Sequence, residues 1–315
     1  MVEKNHKSIK QELKEVQRLI LENQFLQEKY PERKFGLELG LQSLRDLESE
    51  MFEALKQEKL NQKLEVYEIH LDGVLVNAGA MPMEEYGEFL INSQKLITSL
   101  ADKPLSVNGS HSKELRKDTE LEVYAHCSGS LKIMLISKQF KLVNDEFDTP
   151  INNAFIKLNE IANFEGDISE LGEKEDMGKR QILDYKNLLR SLSSMNLDME
   201  IKKPMKDKPD EVLCNIDVRK AYKIFRLIDE KPKPEEIINQ VTGIVKAVDL
   251  EKHSFKIEST YGDETKIIRC DFDKKYEEFM IENFNNEITV EFKKFTEEFI
   301  DRNSNKSYEL LRIIN

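Results

Sequence analysis

Apolar residues recur along this chain in two rhythms, and the rhythm changes mark its parts. From residue 3 to about residue 30, Ile9, Leu13, Val16 and Ile20 fall at spacings of four, three and four, a single helical seam. Pro31 and the charged run PERK interrupt it, and Leu37, Leu41, Leu44, Met51 and Leu55 begin a second helix. Two helices joined by so short a turn form an αα-hairpin, coiled-coil-like in its spacing. Such a hairpin must cover its seam, either on the body of its own chain or in an oligomer, and both remain open at this point.

The rhythm then shortens to two. Val66, Tyr67, Ile69 and Leu71 run into Asp72-Gly73, with Val74-Leu75-Val76 directly after, which reads as a tight β-hairpin. Met83 to Ala101 is helical, with Tyr86, Phe89, Leu90, Leu96, Ile97 and Leu100 on one broad face. A polar loop from Asp102 to about Asp118 carries Gly109 and His111. Leu121, Val123 and Ala125 alternate, Ser128-Gly129-Ser130 reverses the chain, and Leu131, Ile133, Leu135 and Ile136 return. Two hairpins around one helix predict a ββαββ sheet. Helices over Ile151 to Asn163 and Gln181 to Met195 follow, then strands over Met199 to Lys203 and Val212 to Ile216, the second leading into a helix capped by Asp217.

KPKPEE, from Lys231 to Glu236, is the clearest boundary, a stiff charged spacer. Beyond it the order is strand, strand, strand, helix, strand, strand, the chain order of an OB-type barrel. Gly243 suggests a bulge or tight bend in the first of these strands. The predicted fold class is therefore α+β: a helical hairpin at 1–62, an α+β domain at 63–230, and an OB-like small β-barrel at 231–315.

Composition narrows the function classes. Of 315 residues, 48 are Lys or Arg and 60 are Asp or Glu, giving a formal charge of −12. That charge opposes general attraction to phosphate backbones. The apolar runs are far shorter than the roughly 20 residues needed to cross a bilayer, and the N-terminal MVEKNHKSIK lacks the apolar core of a signal peptide. Three scattered cysteines, Cys127, Cys214 and Cys270, suit a reducing compartment. The expectation is a cytoplasmic protein with no membrane partner.

Candidate chemistry is sparse. Neither GxxxxGK[ST] nor GxGxxG is present. The five histidines lack metal-ligand spacing, so neither metal nor cofactor is expected. His126 and Cys127 are strand neighbours and point apart, which prevents a dyad. Pro209-Asp210 with Glu264-x-Lys266 has the form of a metal-dependent nuclease pattern, yet a proline spacer and a helix separate its halves. No catalytic residue is assigned. For nucleic acid the candidates are Phe255, Lys256 and Tyr261 on the barrel and Lys202, Lys203 and Lys206 in a basic knot, which also reads as a solvated turn. From Ile237 to Asn315 the balance is 12 Lys and Arg against 16 Asp and Glu, a difference of −4. For an oligomer or protein partner the candidates are Ile9, Leu13, Val16 and Ile20.

YEIHLDGVLVNAGAMPMEEYGEFLINSQKLI, LEVYAHCSGSLKIML and VTGIVKAVDLEKHSFKIES together resemble a group of bacterial proteins from mobile and anti-phage defence loci. The resemblance covers most of residues 63 to 315 and implies a context, with no shared catalytic residues. The expectation is a non-enzymatic assembly or adaptor protein whose partner is a second copy or a neighbouring gene's product. The alternative is nucleic-acid binding by the barrel.

Overall fold

The computed structural model describes residues 8–77, 81–127, 131–137, 149–166, 170–171, 176–206, 208–230, 234–261, 264–299 and 301–314. The chain is mixed α+β and divides into two compact units, Met1–Asp229 and Glu230–Asn315. None of its described helices is long and apolar enough to cross a membrane.

The first unit opens with helices α1 (Ile9–Lys29) and α2 (Lys34–Asn61). Ser8 caps α1 through a capping box, its hydroxyl accepting from the Gln11 amide while the Gln11 side chain accepts from the Ser8 amide. Five strands follow: β1 (Val66–Asp72), β2 (Leu121–Cys127), β3 (Leu131–Ser137), β4 (Asp198–Lys203) and β5 (Glu211–Ile216). They make one antiparallel sheet in the order β2-β3-β1-β4-β5, with β1 at its centre. Between and after the strands lie α3 (Val74–Asn77), α4 (Met83–Leu100), α5 (Lys113–Asp118), α6 (Pro150–Ala162), α7 (Lys179–Met195) and α8 (Val218–Asp229).

Alternation along β1 sends successive side chains to two different covers. Val66 joins Leu13, Phe52 and Leu55 of the hairpin, together with Ala125, Cys127, Met134 and Ile136. Tyr67 goes the other way and meets the Phe155 ring of α6 at 4.7 Å, and Ile69 faces α4. The sheet is therefore sandwiched, with the hairpin on one face and the α4, α6 and α7 layer on the other. Glu68, on the hairpin face, is buried with Lys56, whose Nζ lies 3.0 Å from Glu68 and 3.1 Å from Asp210. Burial alone would lower the Lys56 pKa, but the Glu53 and Glu68 carboxylates outweigh it and hold the amine above the usual lysine range.

Two details differ from the sequence expectation. The segment after Asp72-Gly73 is no strand: Val74–Asn77 is a single helical turn, so the sheet is not ββαββ, and β4 fills the place beside β1. Gly73 is required for another reason. A Cβ there would sit 2.7 Å from the Asn196 carbonyl oxygen, where Asn196 ends α7 in the left-handed region. Strand β2 also carries a bulge between Val123 and Ala125. Leu121 and Val123 consequently face α4, whereas Ala125 and Cys127 face the hairpin. The Ser128-Gly129-Ser130 turn lies outside the described residues.

In the second unit the strands are β6 (Glu235–Asp249), β7 (Ser254–Tyr261), β8 (Glu264–Asp271), β9 (Glu287–Glu297) and β10 (Asn305–Ile313), with α9 (Glu277–Glu282) between β8 and β9. The pairing order β10-β8-β7-β6-β9 closes because β9 also pairs with β10. Val245, Phe255, Ile257, Cys270, Met280 and Val290 fill the interior. A Cβ on Gly243 would come 2.3 Å from the Glu258 carbonyl oxygen, so this glycine permits close approach of β6 and β7. The β6 irregularity lies further on, between Val245 and Ala247.

Candidate functional site: the outer face of the helical hairpin

The seam read from the sequence lies inside the molecule. Leu13 belongs to the core between hairpin and sheet, Ile9 packs at its margin, and Val16 and Ile20 pack with Leu41 between the two helices. Leu13, Val16 and Ile20 are buried in the single chain, which removes them as partner contacts. The seam is paired because the second helix supplies Leu41, Leu44 and Met51 opposite it.

Toward the Pro31 turn the arrangement inverts. The inner line becomes polar and small: Gln27 donates to Asn23 at 3.0 Å, and a Cβ on Gly40 would meet the Asn23 side chain at 3.2 Å. Tyr30 and Leu37 are half-buried, but other apolar residues here lie outside. Leu21 and Phe25, four apart, are 64% and 61% exposed on α1; Phe35 and Leu39, also four apart, are 78% and 59% exposed on α2. Leu19, Leu26 and Leu47 add to them. From Arg18 to Leu47 the sequence holds five cations (Arg18, Lys29, Arg33, Lys34, Arg45) and five anions (Glu22, Glu28, Glu32, Glu38, Asp46), a net charge of zero in a chain of −12. Scattered exposed apolar residues are ordinary, and this thirty-residue hairpin end carries seven, two of them phenylalanine. Sequence reasoning missed them because they fall off the regular seam.

The basic knot is not a solvated turn throughout. Alternation along β4 puts Lys203 on the same face as Met199 and Ile201, where it is buried and donates to Asn152 at 2.9 Å. Its burial lowers the amine's pKa. Lys202 faces the other way and pairs with Glu200 at 2.6 Å; Lys206 is exposed. The three lysines therefore do not form one site.

On the barrel, Phe255 is interior and cannot stack on a base. Lys256 is exposed, and Tyr261 ends β7 with its side chain outside the described set. Lys256 pairs in register with Arg269, placing two cations side by side. Lys246, at the irregularity of β6, stands on the neighbouring strand and bridges to Glu258 at 2.9 Å. Arg269 donates to Ser254 at 3.0 Å, and Lys256 has no ion-pair partner among the described residues.

Chemistry elsewhere stays muted. Among the described residues no three His, Cys, Asp or Glu side chains stand where they could hold a metal ion. Asp210, half of the nuclease-like pattern, is engaged by Lys56. Burial pushes the Cys127, Cys214 and Cys270 thiols up to about 12, which suppresses the nucleophilic thiolate. Compared with known proteins, the chain matches no family model, no curated protein and no solved structure.

Proposed function

We propose that this chain is an assembly or adaptor protein that associates with a second copy of itself through the outer face of its hairpin. The observation that carries the reading is the charge-neutral, aromatic-bearing hairpin end on an otherwise acidic chain. Overall charge would drive copies apart, and this is a segment where like-charge repulsion is cancelled and apolar area is on offer. The resemblance of its α+β and barrel motifs to proteins of phage-defence loci supports a setting in bacterial defence.

Light scattering over a concentration series tests it. The wild-type chain is expected to grow to a dimer or larger, and Phe25→Glu with Phe35→Glu to remain monomeric at an unchanged melting temperature. A wild-type monomer at every concentration removes self-association. Phage plating on cells carrying either version tests the setting: equal protection by both would detach the assembly from defence.

A second reading is favoured by the cations Lys246, Lys256 and Arg269 across three adjacent strands. The strand circuit supports an OB-type barrel: the first strand pairs with the second and fourth, and the third with the fifth in parallel. In such barrels the second and third strands carry the nucleic-acid face, here β7 and β8. Binding of single-stranded DNA should weaken with salt and fall about tenfold or more in Lys256→Glu with Arg269→Glu. Binding indifferent to both eliminates this reading.

A further inference from the structure

Along α4 two cavities adjoin, of about 320 Å³ and about 300 Å³, sharing Gln94 and Lys95 as a common wall. Their characters differ. The larger is apolar, formed by Leu90 and Ile91 of α4, Leu121 and Val123 of β2, and Ile69 and Leu135 behind them. Ser93 also lines it, and its buried hydroxyl has no hydrogen-bond partner. The smaller is polar and bounded by Lys95, His111, Arg116, Arg180, Glu120 and Asp184.

The polar cavity is built rather than incidental. His111 Nδ1 lies 2.9 Å from Asp102, its Nε2 lies 3.2 Å from Ser99 Oγ, and Ser99 donates to Asp184, which also takes the Arg180 Nε at 3.0 Å. Ser99, His111 and Asp102 have the connectivity of an acyl-transfer triad. Ser99 is 0% exposed and already bound to Asp184, so no substrate carbonyl reaches it. The array instead fixes the ring and the acid. Asp184 is occupied by Arg180 and Ser99, which leaves Glu120 as the other carboxylate lining the cavity, against Lys95, Arg116 and Arg180. Lys95 and Arg116 are exposed and have no ion-pair partner among the described residues. The cavity thus offers cationic groups to an anion.

The apolar cavity runs beside a sheet edge. Among the described residues β2 pairs with β3 alone, so apart from the Leu121 amide, taken by Gln94, and the His126 carbonyl, taken by Gln17, its outer backbone groups are open to another strand. Val123 is 44% exposed and Ile91 55%, because α4 and β2 leave a trough between them. Gln94 pins its two walls, donating to the Thr119 carbonyl at 2.8 Å and accepting from the Leu121 amide at 3.0 Å.

We propose that this groove receives the C-terminal end of an extended polypeptide, added as a further strand beside β2. Its terminal carboxylate enters the cationic cavity, and its last and third-last side chains, on one face by strand alternation, enter the apolar one. Arg116 and Glu120 precede β2 in the chain, so the cationic cavity lies at the strand's beginning and the added strand runs antiparallel to it. A small amphipathic anion would fit both cavities but would leave the strand edge unused; a polypeptide end uses all three features. The inference is independent of self-association through the hairpin.

Fluorescence anisotropy with a pool of short labelled peptides, apolar at the last and third-last positions and free at the C-terminus, tests it. Binding is expected, weaker by roughly tenfold for the C-terminal amides. Lys95→Glu with Arg116→Glu should weaken it by at least as much, as should Val123→Asp, with circular dichroism confirming an intact fold. The Phe25→Glu, Phe35→Glu chain should bind unchanged. Failure of every peptide to bind up to millimolar protein, equal affinity for acid and amide, or indifference to the Lys95 and Arg116 changes would overturn the proposal. So would decanoate displacing the probe as effectively as unlabelled peptide, which would assign the groove to small amphipathic anions.

Discussion

The two ends of the helical hairpin are made of the same helices and meet opposite fates. At the sheet end, Leu13, Phe52 and Leu55 disappear against β1, β2 and β3. At the Pro31 end, Leu21, Phe25, Phe35 and Leu39 stand in solvent while Asn23, Gln27 and Gly40 occupy the inner line. The difference teaches that a regular apolar seam marks the surface a chain covers by itself. Apolar residues that depart from that seam are the ones left exposed.

Matched substitutions should break this contrast open. Phe52→Ala removes a fully buried ring from the sheet end and should cost about 3–5 kcal/mol in urea unfolding. Phe25→Ala at the other end should stay within about 0.5 kcal/mol and act on association instead. Comparable losses at both positions would mean that the hairpin end is covered within the single chain.

A separate effect sharpens the same comparison through pH. Cys127 lies in the sheet-end core, and burial, with the Glu48 carboxylate nearby, raises its thiol from 9.0 to about 12. Cys214 and Cys270 are raised to the same value by burial. The folded state therefore keeps these protons after the unfolded chain has released them. Their stabilisation is complete below about pH 9 and is lost as pH rises toward about 12, by up to about 1.4 kcal/mol per pH unit for each thiol. Tyr67 and Tyr185, also raised by burial, act in the same direction, and Lys203 opposes them. Urea midpoints that hold steady from about pH 9 to about pH 11 would show the thiols to be solvated.

Much of the architecture could be read from period alone. Ile151 to Asn163 and Gln181 to Met195 match α6 and α7 closely, and the runs around Tyr67, Val123, Ile133, Ile201 and Cys214 are all strands. The failures share a cause, which is that local signals have more than one physical origin. Asp72-Gly73 resembles a hairpin turn, yet Gly73 is there to admit the Asn196 backbone, a contact over a hundred residues distant that no local pattern reveals. Lys203 looks like surface charge until its strand's alternation is followed through Met199 and Ile201. The His111 loop reads as plain polar sequence, because its link to Asp184 runs through Ser99 on a preceding helix to a helix some eighty residues further on. The hairpin's exposed apolar residues left a fainter trace, being out of phase with the seam, and the charge balance from Arg18 to Leu47 can be counted in the sequence.

Tyr124, the unpaired residue of the β2 bulge, works as a phase shift in a two-sided strand. Ahead of it the strand serves the trough beside α4; after it, the hairpin core. The Lys10 ammonium of α1 lies 3.7 Å from the centre of its ring and the Lys59 ammonium of α2 lies 4.7 Å away, so both helices grip the residue that sets the phase. Strand length here is thereby locked: gaining or losing one position would turn apolar side chains outward on one side and crowd them on the other.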